Sequence, residues 1–197
     1  VEKGEIVAIV GASGAGKSTL LHILGTLDVP DAGQVFIHDK DVFSQSSRNL
    51  ASFRNQSIGF VFQFHNLLPE FSALENVFIP GLIGGKDSSE IRQRAESLLE
   101  MLGISHRKHH KPSELSGGEQ QRAAVARALI NSPDLILADE PSGNLDSKNA
   151  VELHNLFFQL RKDLNQTFII VTHNTELAMM ADRRVEIGDG MIVSGDR

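Results

Sequence analysis

The sequence contains no cysteine, no tryptophan and no tyrosine; phenylalanine, 11 residues, supplies all of its Phe/Trp/Tyr aromatics. Without cysteine there is no disulfide framework, which fits a reducing compartment. Long apolar runs are missing too, and none approaches the roughly 20 residues that span a bilayer. The opening Val-Glu-Lys-Gly-Glu has none of the features of a signal peptide. Positive charge is in deficit: 19 Lys and Arg face 25 Asp and Glu, a net charge of −6, which argues against broad binding to nucleic acid. What remains, 197 residues of which 41% are hydrophobic, suffices for one domain, or one with an embedded subdomain. The expectation is a soluble, cytoplasmic domain with no membrane span of its own and no nucleic-acid partner. The chain opens almost on its first predicted strand, so a further N-terminal segment is expected outside it.

Glycine, by contrast, is plentiful and clustered. Gly11-Ala12-Ser13-Gly14-Ala15-Gly16-Lys17-Ser18 fits the pattern G-x-x-x-x-G-K-[ST] at every fixed position. Glu5–Val10 before it is an apolar, β-branched run that reads as a buried strand. The segment opening at Thr19 places Leu20, Leu21 and Leu24 at the spacing of a helix face. Strand, glycine loop and helix together form an anion trap, because backbone N–H groups point inward and the helix N-terminus adds partial positive charge. Lys17 is expected at the β- and γ-phosphates and Ser18 on Mg²⁺, with the cradle running from Gly11 to Thr19. These residues predict binding of a nucleoside triphosphate.

Further along, Gln34–His38 alternates like a half-buried strand, Ser47–Arg54 is a weak helix candidate, and Ser57–Phe62 is a buried strand delivering Gln63. From Leu67 to about Ile130 the pattern is helical, clearest over Ser89–Leu102, where Ile91, Ala95, Leu98, Leu99 and Leu102 share a face. Strand and helix then alternate again: Leu135–Ala138, Ser147–Leu164 with Val151, Leu156, Leu160 and Leu164 inward, Thr167–Val171, and two short strands around Gly188-Asp-Gly190. The expected fold is α/β: a phosphate-loop NTPase core, a mostly parallel sheet with helices on both faces, a helical subdomain over about 67–130, and a truncated antiparallel β portion. One nucleotide-binding domain over 1–197 accounts for the whole chain.

Three further stretches carry chemistry. Leu135–Ala138 runs into Asp139-Glu140, and buried carboxylates are costly unless paired or bound to metal. With the glycine loop upstream, Asp139 is expected to hold Mg²⁺ and Glu140 to take a proton from the attacking water. Leu115-Ser-Gly-Gly-Glu-Gln120 is a second glycine turn that opens a helix. It reads equally as a second anion site, through Ser116, Gly117 and Gly118, or as an ordinary N-cap with Ser116 capping and Glu119 at the third position. Spacing does not choose between them. His106-Arg-Lys-His-His-Lys111 lacks regular ligand spacing and reads as a solvated basic turn.

In order, Gly11–Ser18, Gln63, Leu115–Gln120, Leu135–Glu140, Ser142-Gly-Asn-Leu-Asp146 and His173 resemble the full motif set of an ABC-type ATPase, over essentially the whole chain. Leu115–Arg122, Leu-Ser-Gly-Gly-Glu-Gln-Gln-Arg, is highly specific for that family. The resemblance implies that Gln63 contacts Mg²⁺ and the lytic water, that Asp146 and its loop cross a dimer interface, and that His173 holds the γ-phosphate. It also implies a head-to-tail dimer of two copies, in which Ser116, Gly117, Gly118 and Glu119 of one close on the ATP held by Lys17 of the other. An aromatic residue that stacks on adenine is expected upstream of Val1.

Phe62–Phe71, Ala73–Val77 and Glu140–Ser147 resemble the lipoprotein-releasing type of this family more closely than its macrolide-export or cell-division types. The implied partners are transmembrane permease subunits, met partly through Phe64, Leu67, Leu68 and Phe71, and the implied place is the cytoplasmic side of the inner membrane, peripherally bound. The alternatives are an ATPase of the macrolide-export or cell-division type and, less favoured, a soluble ATPase acting on DNA or ribosomes. Against the last, no long coiled-coil or zinc-bearing insertion separates the phosphate loop from Leu115.

Overall fold

Alternation along the strands sorts apolar side chains onto two faces of one sheet, and each face has its own core. The computed structural model describes residues 1–196. In β1 (Ile6–Val10), Ile6 packs into one cluster while Val7 and Ile9 pack into the other. β5 (Leu135–Asp139) sends Ile136 and Ala138 one way and Leu137 the other, and β6 (Thr167–Val171) divides Phe168 and Ile170 from Ile169 and Val171. Strands buried on both sides read as continuous apolar runs, as these do, and require helices on both faces. One face carries Leu21 of α1 (Lys17–Leu24), with Phe53 of α2 (Ser47–Ser57) packed against that cluster. The other carries α3 (Ala73–Ile83), α4 (Ser88–Met101), α5 (Gly117–Leu129), α6 (Ser147–Leu164) and α7 (Thr175–Met180).

The main sheet is completed by β4 (Ile58–Phe62), β7 (Arg183–Gly188) and β8 (Met191–Asp196), in the order β4-β5-β6-β1-β7-β8. All neighbours are parallel except β7 and β8. Register aligns the strand ends: Phe62 pairs with Asp139, Asp139 with Val171, and Val171 with Ile9. The residues that follow these ends therefore emerge along one edge, the usual ligand side of an open parallel sheet.

Several elements differ from expectation for identifiable reasons. Of Gln34–His38 only β2 (Phe36–Ile37) is a strand, paired with β3 (Lys40–Asp41) in a separate two-stranded sheet. His38 and Asp39 turn the chain at once, with φ of 52° and 59°. In α6, Val151 and Leu164 are exposed; the inward face is Ala150, Leu153, His154, Leu156, Phe157 and Leu160. No strand interrupts the described residues between β4 and β5, where α3, α4 and α5 pack on one another.

The basic turn is not simply solvated. Arg107 Nε donates to Glu119 Oε1 at 2.9 Å and Lys108 Nζ to Glu96 Oε1 at 3.0 Å. The carbonyls of Lys108 and His110 accept from the Leu74 and Ala73 amides, so the turn also satisfies the start of α3. The Arg107 and Lys108 charges are paired within the chain.

Candidate nucleotide site

The phosphate loop joins β1 to α1, and its shape follows from where glycine stands. Gly11 has φ of 146°, and a Cβ built there would lie 2.1 Å from the Ile187 carbonyl oxygen, so β7 closes against the loop only because that position has no side chain. Gly14 and Gly16 also take positive φ, and Gly16 caps α1 with no side-chain bond to the helix. The first N–H groups of α1 are thus left for a ligand. Lys17, 9% exposed, folds back so that its Nζ donates to the carbonyls of Gly11 at 3.0 Å and Ala12 at 2.8 Å. The turn between β7 and β8 braces the far side, where the Gly190 amide donates to the Ala15 carbonyl at 3.1 Å.

The ends of β5 and β6 bring the acids to this loop. Ser18 Oγ donates to Asp139 Oδ1 at 3.2 Å, across 121 residues of sequence. Glu140 takes φ of 45°, uncommon for a residue with a side chain, and its amide donates to the Val171 carbonyl at 2.9 Å. Its Oε2 accepts the His173 amide at 3.2 Å and lies 2.8 Å from His173 Nδ1. A cavity of about 290 Å³ is walled by the glycine loop, Ser18, Thr19 and Glu140. Ser18 and Asp139 offer a hydroxyl and a carboxylate oxygen side by side, the hard donors that suit a magnesium ion.

Two buried side chains hold the segment after Glu140. Gln121 Nε2 donates to the Pro141 carbonyl at 2.7 Å, and His154 Nε2 lies 3.0 Å from Ser142 Oγ. Sequence reading missed both, although each was visible as a polar residue on a buried helix face, where an unpaired group costs about 1–3 kcal/mol. Gln121 recurs with Val125 and Ala128, and His154 with Ala150 and Phe157.

The other expected residues stand apart from the cavity. Gln63 does not line it; its Nε2 donates to Asn144 Oδ1 at 3.0 Å, and Asn144 Nδ2 returns a bond to the Gln63 carbonyl at 3.1 Å. Asp146 caps α6, accepting from the Asn149 amide at 3.0 Å and from Asn149 Nδ2 at 2.6 Å, and these bonds hold its carboxyl below the usual range. Ser116 caps α5 in a reciprocal box with Glu119. Burial raises the Glu119 carboxyl, but the Ser116 amide and hydroxyl and Arg107 outweigh it and leave the group below its ordinary value. This signature turn lies against the start of α6: a Cβ on Gly118 would come within 2.6 Å of Asn149 Oδ1. It contributes no wall to the phosphate cavity of its own chain. Phe64, Leu68 and Phe71 are exposed, and Leu67 packs partly into the core.

Comparison with known proteins agrees with this geometry. The family described as ABC transporter matches residues 1–143. The lipoprotein-releasing system ATP-binding protein LolD of Cytophaga hutchinsonii is 61% identical over 193 residues, covering 98% of this chain and 88% of that protein. LolD of Bacteroides thetaiotaomicron is 60% identical over 192 residues, with the same coverage of 98% and 88%. Among solved structures, a dimeric post-hydrolysis state of the ATP-binding cassette MJ0796, bound to ADP and Pi, superposes with a TM-score of 0.90 at 39% identity, over 100% of this chain and 87% of that one. No described helix is long and apolar enough to cross a membrane. Loop, acids, signature turn and sheet order occur here in one chain, and with these likenesses they settle its family: the chain belongs to the ABC transporter family, as the ATP-binding domain.

Proposed function

We propose that this chain hydrolyses Mg²⁺-bound ATP in a head-to-tail pair with a second copy, and that the pair drives transmembrane permease subunits which release lipoproteins from the inner membrane. The observation that carries the reading is the convergence of Ser18, Asp139, Glu140 and His173 on the Lys17 loop, while the signature turn sits outside that cavity. A phosphate cavity that has its loop and acids but no signature, beside a signature turn that walls no phosphate cavity in its own chain, is what two copies arranged head to tail would satisfy.

In this reaction Lys17 leaves the loop carbonyls and takes the β- and γ-phosphates. Glu140 accepts the proton as water attacks the γ-phosphorus, and the bond to the ADP oxygen breaks to give ADP and phosphate. His173, already on Glu140 Oε2, orients that carboxylate and offers its exposed ring to the γ-phosphate. Ser18 and Asp139, joined by Gln63 once its side chain leaves Asn144, are the residues that would hold magnesium, which when bound offsets charge on the phosphates. Ser116 and Gly118 supply donors to the ATP of the other copy. Binding closes the pair and hydrolysis opens it.

Support for the lipoprotein branch is the similarity to LolD proteins along nearly the full chain, together with the exposed Phe64, Leu68 and Phe71 beside Gln63. Peripheral attachment on the cytoplasmic side follows if permeases are the partners. The test is purification of the full-length chain from membranes in the presence of ATP. Co-purifying permease subunits and ATP-dependent lipoprotein release from reconstituted vesicles are expected, and a complex that hydrolyses ATP but releases no lipoprotein would refute this branch.

A further inference from the structure

The turn that carries Gln63 is held from behind by a residue with no role in the reaction as described. After β4 the chain places two successive non-glycine residues in the left-handed region, His65 at φ 58° and Asn66 at φ 50°. Asn and His visit that backbone more readily than most L-residues, and a bond to each carbonyl fixes it further. Here the holder is Arg127, in the last turn of α5: Nη1 donates to the Asn66 carbonyl at 2.5 Å and Nη2 to the His65 carbonyl at 2.7 Å. The two bonds span more than 60 residues of sequence, and a planar guanidinium is suited to such a two-point grip where an ammonium is not.

The other end of α5 is the signature turn. Between Ser116 and Arg127 the helix is fixed by Ala123, Ala124, Val125 and Ala126, each at 0% exposure. It is a rod of about 20 Å at 1.5 Å per residue. One end presents donors to the other copy's ATP, and the other end grips the turn that carries Gln63.

We infer that Arg127 is a positioning residue for Gln63: it ties the left-handed turn to α5, so that Gln63 and the signature turn shift as one body. The inference rests on the reading of Gln63 as a group at the metal and the lytic water. Its effect is on turnover rather than on ATP capture, because the Lys17 loop is untouched by it.

The test is a double-mutant cycle on the full-length chain, with Arg127→Met, Gln63→Ala and the pair, read as steady-state Mg²⁺-ATP hydrolysis. R127M is expected to lower kcat about tenfold, the factor expected for hydrogen bonds to a charged group, with KM for ATP changed by less than about twofold. In the Q63A background the same substitution should cost less than about twofold, because its target is gone. R127K, which can reach one carbonyl at a time, should recover part of the loss. If R127M does not fold, R127K carries the cycle, with the same non-additivity expected. Equal losses in both backgrounds, or an unchanged kcat, would overturn the inference while leaving Gln63 in place. If Q63A alone leaves turnover unaltered, the reading of Gln63 falls and Arg127 with it.

Discussion

Two glycine turns open helices in this chain, and they are in opposite states. At the phosphate loop, Gly11, Gly14 and Gly16 take positive φ and no side chain caps α1, so its N–H groups face an open cavity. At the signature turn, Gly117 and Gly118 are regular helix, and Ser116 and Glu119 satisfy each other in a complete capping box. A glycine-rich helix start is therefore not one device. The first leaves its donors uncapped. The second is a self-satisfied cap whose Ser116 hydroxyl must leave Glu119 before it can serve a phosphate. The single chain thus shows the N-cap reading of the second turn, and the anion-site reading belongs to the proposed pair.

The comparison is broken most severely at the acid. Glu140→Gln removes the proposed base from the phosphate-loop side alone, and should lower turnover by about 10²–10⁴-fold while trapping an ATP-bound dimer. Size-exclusion chromatography with ATP reads this directly, and a variant that stays monomeric argues against the base assignment.

The next step separates the turns by what they bind. Ser116→Arg should reduce dimer hydrolysis to background yet change ATP affinity of the isolated chain by no more than about twofold, within the range of a lost surface contact. Titration with a fluorescent ATP analogue measures the affinity, and retained turnover would sink the shared-site arrangement. Ser116→Ala is a milder probe of the same cap, and should destabilise the fold by about 0.5–2 kcal/mol, the usual cost of losing an N-cap. Urea unfolding reports it. No comparable loss is expected at the phosphate loop, where Ser13→Ala removes no cap.

The smallest effect is on pH. Burial holds His65 and His154 below the ordinary histidine range, so the folded chain binds fewer protons than the unfolded one. That contribution to stability is present above the unfolded value of about 6.5 and is lost as pH falls through the folded values. Thermal midpoints should therefore drop between pH 7.5 and 5, and His154→Gln should flatten the drop.

Much of the fold was legible because apolar periodicity is a local signal. Ser147–Leu164 and Thr167–Val171 have the same bounds in sequence reading and structure. The inward face of α6 was read wrongly because its centre holds Ala150 and His154, which an apolar stripe passes over in favour of Val151 and Leu164. The basic turn was misread for a different reason: the partners of Arg107 and Lys108 lie on α5 and α4, and sequence does not place those helices. Motif spacing picked out the phosphate loop and both acids, which lie side by side in the structure. It did not show that Asn144, inside a motif it had found, bonds Gln63, and it passed over Arg127, which reaches the chain at His65 and Asn66.

Lys17 adds a thermodynamic consequence. Its ammonium already has two carbonyl ligands, so in the proposed reaction nucleotide capture is a displacement rather than an addition. The affinity measured for any nucleotide is a difference between two sets of ligands for one cation. A ligand must then bring enough negative charge to outbid Gly11 and Ala12, which sets a threshold that triphosphates pass more readily than monophosphates. On the proposed role of Lys17, selectivity for phosphate number would lie in the loop itself, before any contact with the base.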